Sequence, residues 1–345
     1  MKPLVVSSLH QSAGKSSTVI GLAKAVDRPF AYIKPFGDRL LYKKKRQWDY
    51  DAALIANLFE LEEIPELITL GFDHSKLRFK YTPDAIAAKL QEMADAVRDH
   101  HDLFFIEAGR DFAFGASLGL DPVSLAQALD AQLLVVLQGN EARVDDELAF
   151  LKQHVASDHT KLAGVVVNKV KDLDEFNDTH RQSLQRHDIP ILGALPRRVE
   201  LTRFPVGFLA EQLFARVVAG EDGLQHSVAR TFVATTAVQS AMRNPEFSGA
   251  DTLVVTSGDR SDMIVAALNA DTAGILLTDD IAPPANIISE AEHKKIPLLL
   301  VRQSTAQTVR VLNELDPLLT RNDRDKADLL GQLVRDHVKL DFLDD

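Results

Sequence analysis

The stretch Ser7-Ser8-Leu9-His10-Gln11-Ser12-Ala13-Gly14-Lys15-Ser16-Ser17 lies between the apolar run Pro3-Leu4-Val5-Val6 and a helical pattern of Val19, Leu22, Ala23 and Val26. A strand running straight into a short loop and a helix commits a chain to crossover connections, and so to a parallel sheet. The loop narrows the choice further. Unpaired N–H groups at the start of a helix, aided by the helix dipole, hold an anion without a buried countercharge. Gly14 lets the backbone approach a phosphate, and Lys15 reaches the outer phosphates as a mobile charge. The Ser16 hydroxyl suits the Mg2+ of a nucleoside triphosphate such as ATP. Ala13 and Ser17 complete the phosphate-binding segment. The G-x-x-x-x-G-K-[ST] pattern lacks only its first glycine, replaced here by Leu9.

Further runs rich in Val, Ile, Leu and Phe recur from Leu4 to Ser7, Phe30 to Lys34, Leu103 to Glu107, Leu133 to Leu137, Leu162 to Asn168 and Ile189 to Leu195. Each is continuous rather than alternating, as in parallel strands buried on both faces. Between them, Ile86, Leu90, Met93 and Val97 recur at helical spacing behind Thr82-Pro83, a cap followed by a first helical residue. The expected fold is an α/β, doubly wound parallel sheet, whose ligands collect beyond the carboxyl ends of the strands.

Three ionisable residues fall at that edge. Glu107 ends one apolar run before Ala108-Gly109, Lys34 ends another before Pro35, and Asp51 lies in Trp48-Asp49-Tyr50-Asp51-Ala52 at the start of a helical pattern. Asp51 and Glu107 form a carboxylate pair suited to a hard divalent cation. The alternatives are a helix N-cap for Asp51 and a salt bridge at a strand end for Lys34. Glu107, directly after a buried strand, needs a partner in any case.

The chain has 345 residues, 46% of them hydrophobic and 26% charged, enough for two domains. A formal net charge of -11 argues against nucleic acid or an anionic membrane as the main partner. There is no cysteine, which excludes disulfides, thiolate metal sites and a Cys nucleophile. The 11 histidines show no metal-binding spacing. The apolar runs are too short for a membrane span and no signal segment is evident, so a cytoplasmic protein is expected. The basic run Lys43 to Arg46 reads as a solvated loop, and Asn177 to His187 as an exposed helix.

In order, Ser8 to Ser16, Lys34-Pro35, Asp51-Ala52, Glu107-Ala108-Gly109, Asn168 and Leu192-Gly193-Ala194-Leu195-Pro196 resemble the motifs of dethiobiotin synthetase-like P-loop ATPases. The resemblance implies a P-loop domain over residues 1–210. It further implies that Lys15 and Ser16 bind phosphate and Mg2+, that Asp51 and Glu107 complete the metal site, that Lys34 touches phosphate or a carboxylated substrate, and that Asn168 contacts adenine. Ser8-Leu9-His10-Gln11-Ser12 departs from the Gly-Thr-Asp-Thr opening of that family.

After Pro205 a helical segment is expected through Val217 and Val228 to Met242, and a second strand-helix alternation begins at Thr252. Its Asp259-Arg260-Ser261 looks like the name-giving motif of the DRTGG domain, making 211–345 a smaller α/β domain with Asp259 and Arg260 as ligand candidates. The alternative is a turn in which Asp259 or Ser261 caps a helix near Asp262 and Arg260 joins a salt bridge. The two parts together resemble the N-terminal regulatory portion of long-form phosphotransacetylases. That implies a homo-oligomeric, nucleotide-binding regulatory protein, partnered with an enzyme of acetyl-CoA or acetyl phosphate metabolism and inactive alone in acetyl transfer. The competing expectation is an ATPase or ATP-dependent ligase of the dethiobiotin synthetase type, with Pro65 to Tyr81 supplying an acceptor pocket.

Overall fold

The computed structural model describes residues 3–43, 46–61, 65–98, 101–155, 160–315, 319–320 and 323–344. The chain forms two compact units, 1–198 with 321–345, and 199–320.

The first unit contains β1 (Pro3–Ser8), β2 (Phe30–Ile33), a hairpin of β3 (Leu40–Lys43) and β4 (Arg46–Asp49), β5 (Leu103–Glu107), β6 (Gln132–Gln138), β7 (Leu162–Val170) and β8 (Ile191–Pro196). Six of these strands pair in the order β2-β5-β1-β6-β7-β8, every neighbour parallel. They are the six apolar runs of the sequence, continuous because β1 and β5 are buried along their whole length. The connections run to one side of β1 first and to the other side from β6 onward. That reversal opens a crevice at the carboxyl end of β1, where the loop before Lys15 begins. Thr82 caps the helix Pro83–Arg98 by accepting from Ala85 N at 3.3 Å.

The helix Lys15–Val26 covers one face of this sheet, and the last helix, Arg324–His337, packs on it. Glycines allow the close approach. A Cβ on Gly21 would stand 2.6 Å from Val334 Cγ2, and one on Gly331 would stand 2.6 Å from Lys24 Cβ. Lys24 Nζ meets Asp328 Oδ1 at 2.8 Å, and Arg335 donates to Lys24 O at 2.9 Å. Beyond the helix, Val338 bridges Gly193 and Lys339 N donates to Leu192 O at 2.9 Å, covering part of the β8 edge. The sequence reading groups 211–345 together, whereas this helix buries Ala327, Leu330, Leu333 and Val334 within the first unit. In chain order the second unit is an insertion before that helix.

The second unit contains β9 (Phe204–Pro205), β10 (Arg216–Ala219), β11 (Ser227–Val228), β12 (Arg230–Val233), β13 (Thr252–Ser257), β14 (Gly274–Thr278) and β15 (Leu298–Leu300). Five strands pair in the order β10-β15-β14-β13-β12, with β10 alone antiparallel. The continuous helical segment expected after Pro205 is therefore corrected. Val217-Val218, Val228 and Phe232-Val233 are β-branched or aromatic and take strands, leaving only Val206–Gln212 and Val238–Met242 as α-helix there. The exposed helix expected from Asn177 to His187 is interrupted, with a wide π turn over Phe176–His180. Among the described residues no helix is long and apolar enough to cross a membrane.

Gly193→Ala tests the docking of the chain end. Its Cβ would lie 2.3 Å from His337 O and 2.8 Å from Val338 Cα, backbone atoms that have to move. Urea unfolding is expected to register a loss of about 1–3 kcal/mol, with faster amide exchange over 324–340. An unchanged midpoint and exchange rate would contradict the close contact.

Candidate functional site

Gly14 is the N-cap of the helix Lys15–Val26, with φ 103°, and no side chain caps it. Ser12, two residues earlier, also has a positive φ of 61°. Residues held in the left-handed region between ordinary ones turn successive N–H groups to one side, making a concave anion seat. Ala13 is buried behind it and Ser17 is half-buried in the first helical turn. Lys15 folds back over the loop, donating to Ser8 Oγ at 3.1 Å and to Arg110 O at 3.0 Å. Burial lowers its pKa, an effect that the nearby Glu107 carboxylate opposes.

Ser16 Oγ donates to Glu107 Oε1 at 2.8 Å, and Tyr32 OH donates to Glu107 Oε2 at 3.0 Å. Glu107 is 1% exposed at the end of β5. Burial raises its carboxyl to about 7, against the opposing pull of Lys34. Burial also pushes the Tyr32 phenol well up, reinforced by Glu107.

Lys34 directly follows β2 at 1% exposure, so the surface salt bridge considered for it is a buried cluster. Its Nζ lies 2.6 Å from Asp51 Oδ2, 2.7 Å from Asp38 Oδ1, 3.1 Å from Asp49 Oδ1 and 3.8 Å from Glu107 Oε1. Burial alone would lower its pKa, but Asp51, Asp49 and Glu107 outweigh that and raise it well above the usual lysine value. For Asp51, burial is likewise outweighed, by Lys34 and Arg39, and its pKa is lowered. Asp49 is raised by burial despite Lys34.

The capping role considered for Asp51 falls to Asp49. Asp49 Oδ1 accepts from Asp51 N at 3.0 Å and Ala52 N at 3.2 Å, while its Oδ2 accepts from Asp38 N at 3.0 Å and Arg39 N at 3.2 Å. Asp51 is then a first-turn residue of the helix Tyr50–Leu58, free of the cap and aimed at Lys34. Sequence reasoning passed over Asp38, Asp49, Arg39 and Tyr32. The available signal was spacing: Asp38 follows Lys34 by four residues, and Asp49 precedes Asp51 by two.

Asp38, Asp49 and Asp51 bring oxygens within 4.8 Å of one another. The Lys34 ammonium bonds one oxygen of each, so a divalent ion would share this cluster with it. Ser16 Oγ and Glu107 Oε1 are in contact beside the loop, and hard oxygens of this kind suit Mg2+. Asp38, Asp49, Asp51 and Glu107 outnumber Lys15, Lys34 and Arg39 by one, so the fully ionised cluster favours an added cation.

Asn168 lies opposite Gln138 of β6 at the carboxyl end of β7. Its Nδ2 donates to Ala13 O at 2.9 Å and its Oδ1 accepts from Lys169 N at 2.8 Å. The amide is thus turned to the backbone of the loop. The structure brings Ala13 to Ser17, Lys34, Asp51, Glu107 and Asn168 to one sheet edge. In the segment after Pro65, His74 packs edge-on at 4.7 Å against Phe36, which stacks on Phe114 at 4.6 Å. Of the basic run, Lys44 and Lys45 lie outside the described residues, and its other members belong to the β3–β4 hairpin.

In the second unit, Arg260 donates to Ala234 O at 2.7 Å and Thr236 O at 2.8 Å, tying the turn after β13 to the one after β12. This corrects the salt bridge considered for it. The following helix starts at Ser261 with Arg260 as its N-cap residue and no side-chain cap, which corrects the capping assigned to Asp259 or Ser261. Asp259 is exposed. Gly258 is required by its neighbour, since a Cβ there would stand 1.6 Å from Ile281 O.

A family model described as "AAA domain" matches residues 2–204, and one described as "DRTGG domain" matches residues 208–315. A phosphate acetyltransferase of Pseudomonas putida is 29% identical over 238 residues, 64% of this chain and 34% of the relative. One from Synechocystis sp. is 25% identical over 350 residues, 94% of this chain and 48% of the relative. The chain thus spans about half or less of the length of these relatives. A solved structure of the CBS and DRTGG domains of the regulatory region of Clostridium perfringens pyrophosphatase, complexed with diadenosine tetraphosphate, overlaps 47% of this chain and 74% of its own, with a TM-score of 0.29 and 14% identity.

Glu107 makes stability depend on pH. A carboxyl raised from 4.5 to about 7 by folding contributes fully below 4.5, and its contribution is lost as pH rises through 7. In metal-free buffer, Glu107→Gln should therefore gain on the parent by about 3 kcal/mol between pH 4.5 and pH 8. A stability difference that stays flat across that window in chemical denaturation would contradict the buried environment.

Proposed function

This chain belongs to the AAA domain family through residues 2–204, a dethiobiotin synthetase-like P-loop domain followed by a DRTGG domain, and on that premise we propose that it is an ATP- and Mg2+-binding regulatory protein of acetyl-CoA and acetyl phosphate metabolism. The observation that carries this reading is the line from Lys15 through Ser16 to Glu107. Lys15, held on Ser8 Oγ and Arg110 O, and the Ser16 hydroxyl on the buried Glu107 carboxylate lie beside a loop with positive φ at Ser12 and Gly14. Backbone amides of Ala13 to Ser17 would receive the phosphates, with Lys15 at the outer ones. Ser16, Glu107 and Asp51 would hold Mg2+, which neutralises phosphate charge when bound. Lys34 would keep Asp38, Asp49 and Asp51 together next to that ion.

In the ligase reading Lys34 touches phosphate or a carboxylated substrate. Its ammonium is already within 3.1 Å of three carboxylates, and the regulatory reading makes no such demand on it. The relatives that align along most of the chain are phosphate acetyltransferases, which supports a partner or continuation in acetyl transfer. In this reading the chain is a cytoplasmic homo-oligomer, Asp259 beside the Arg260 tie is a ligand contact of the second unit, and residues 1–345 do not themselves transfer acetyl groups.

Lys15→Ala should weaken Mg-ATP binding about tenfold or more, the loss of one charge-assisted contact. Equilibrium dialysis against labelled ATP, with circular dichroism to establish the fold, measures this. Equal affinity in a folded variant would contradict the phosphate assignment. Light scattering on the parent should give a multiple of 38.1 kDa, and a coupled assay should detect no acetyl phosphate formed from acetyl-CoA. A monomer would remove the oligomer from the reading, and turnover would overturn the regulatory role.

A further inference from the structure

We propose that Lys169 is a positioning residue that holds the phosphate loop in its binding shape, acting with Asn168 through the carbonyls of the loop. Lys169 Nζ donates to Ser12 O at 2.6 Å, while Asn168 Nδ2 donates to Ala13 O at 2.9 Å. Two consecutive loop carbonyls are thus drawn toward the end of β7. A peptide whose carbonyl is pulled one way presents the following N–H the other way, because the peptide unit is planar and trans. The N–H groups of Ala13 and Gly14 are thereby turned from the clamp, as an anion seat requires.

The end of β7 is built for this task at a local cost. From Val167 to Val170, β7 advances three residues while its partner β8 advances two, from Ala194 to Pro196. That extra residue is a bulge, a device that re-aims side chains beside binding sites. Lys169 has φ 59°, a region lysine seldom adopts. The bulge and the positive φ send two consecutive side chains to the same loop, which a regular strand would send to opposite faces. The fit is tight on the loop side too. A Cβ on Gly14 would stand 2.2 Å from Asn168 Nδ2, so the absence of a side chain at Gly14 makes room for the clamp as well as for a phosphate.

The purpose of this clamp rests on the nucleotide reading above, but its mechanical action does not. Three variants separate the two. Lys169→Met removes the charge and the donor, Lys169→Arg keeps both, and Lys169→Gly removes the side chain while relaxing the backbone at φ 59°. In nucleotide-free protein, hydrogen exchange of the amides of 9–17 is expected to quicken about tenfold in the Met and Gly variants and to recover in the Arg variant, the effect of losing one charge-assisted bond. The Gly variant should not unfold earlier than the parent, which separates clamping from a merely structural role. Mg-ATP affinity, measured by titration calorimetry, should fall about tenfold in Met and Gly and return in Arg. Loop exchange that is unchanged in both the Met and the Gly variant would overturn the clamp, whatever the parent binds. Quickened exchange in a parent background that binds no Mg-ATP would sustain the clamp and overturn the nucleotide reading instead.

Discussion

The buried ammonium of Lys34 is the interaction on which the site depends. A lysine at 1% exposure is costly unless carboxylates surround it. Here Asp38, Asp49 and Asp51 do so from the turn after β2, the end of β4 and the helix Tyr50–Leu58, with Glu107 of β5 slightly farther away. One cation therefore ties four segments of chain to the carboxyl edge of the sheet. Removing it would leave several carboxylates buried together with only Arg39 and Lys15 as neighbouring cations.

The proposed divalent cation would sit beside the Lys34 ammonium at this edge and would not replace it. When all are ionised the carboxylates exceed the neighbouring cations by one, and burial raises the Glu107 carboxyl to about 7 against the pull of Lys34. The Ser16 hydroxyl beside the loop is in contact with the Glu107 carboxylate. Such preorganisation lowers the ordering cost of binding. The Arg260 tie in the second unit is of another kind, a guanidinium spent on two carbonyls to fix neighbouring turns.

Much of the first unit was legible in the sequence because its strands are uninterrupted apolar runs, and because Lys34 and Glu107 stand where those runs stop. An ionisable residue at such a point has to meet a partner or a ligand. The partner itself was less legible. Asp49 and Asp51 are both plausible caps by type, and only the β3–β4 hairpin, which delivers Asp49 to the helix start, decides between them. The strands β10 and β12 are only four residues each, too short for their β-branched and aromatic residues to set a period against the surrounding helical pattern. The sequence of Arg324–His337 does not say which helix covers its buried face. Gly21 and Gly331 carry that information, and it becomes readable only when the two are known to approach. Lys169 was invisible for a similar reason, since a bulge leaves no mark in hydrophobic periodicity.

In the proposed function the Ser16–Glu107–Asp51 edge receives a nucleotide together with its metal. Calorimetric titration of ATP into the unmodified chain, once with Mg2+ and once with EDTA, tests this most directly. The expected result is saturable binding at one site per chain that weakens markedly when the metal is removed. Equal affinity with and without Mg2+, or no binding in either, would contradict it.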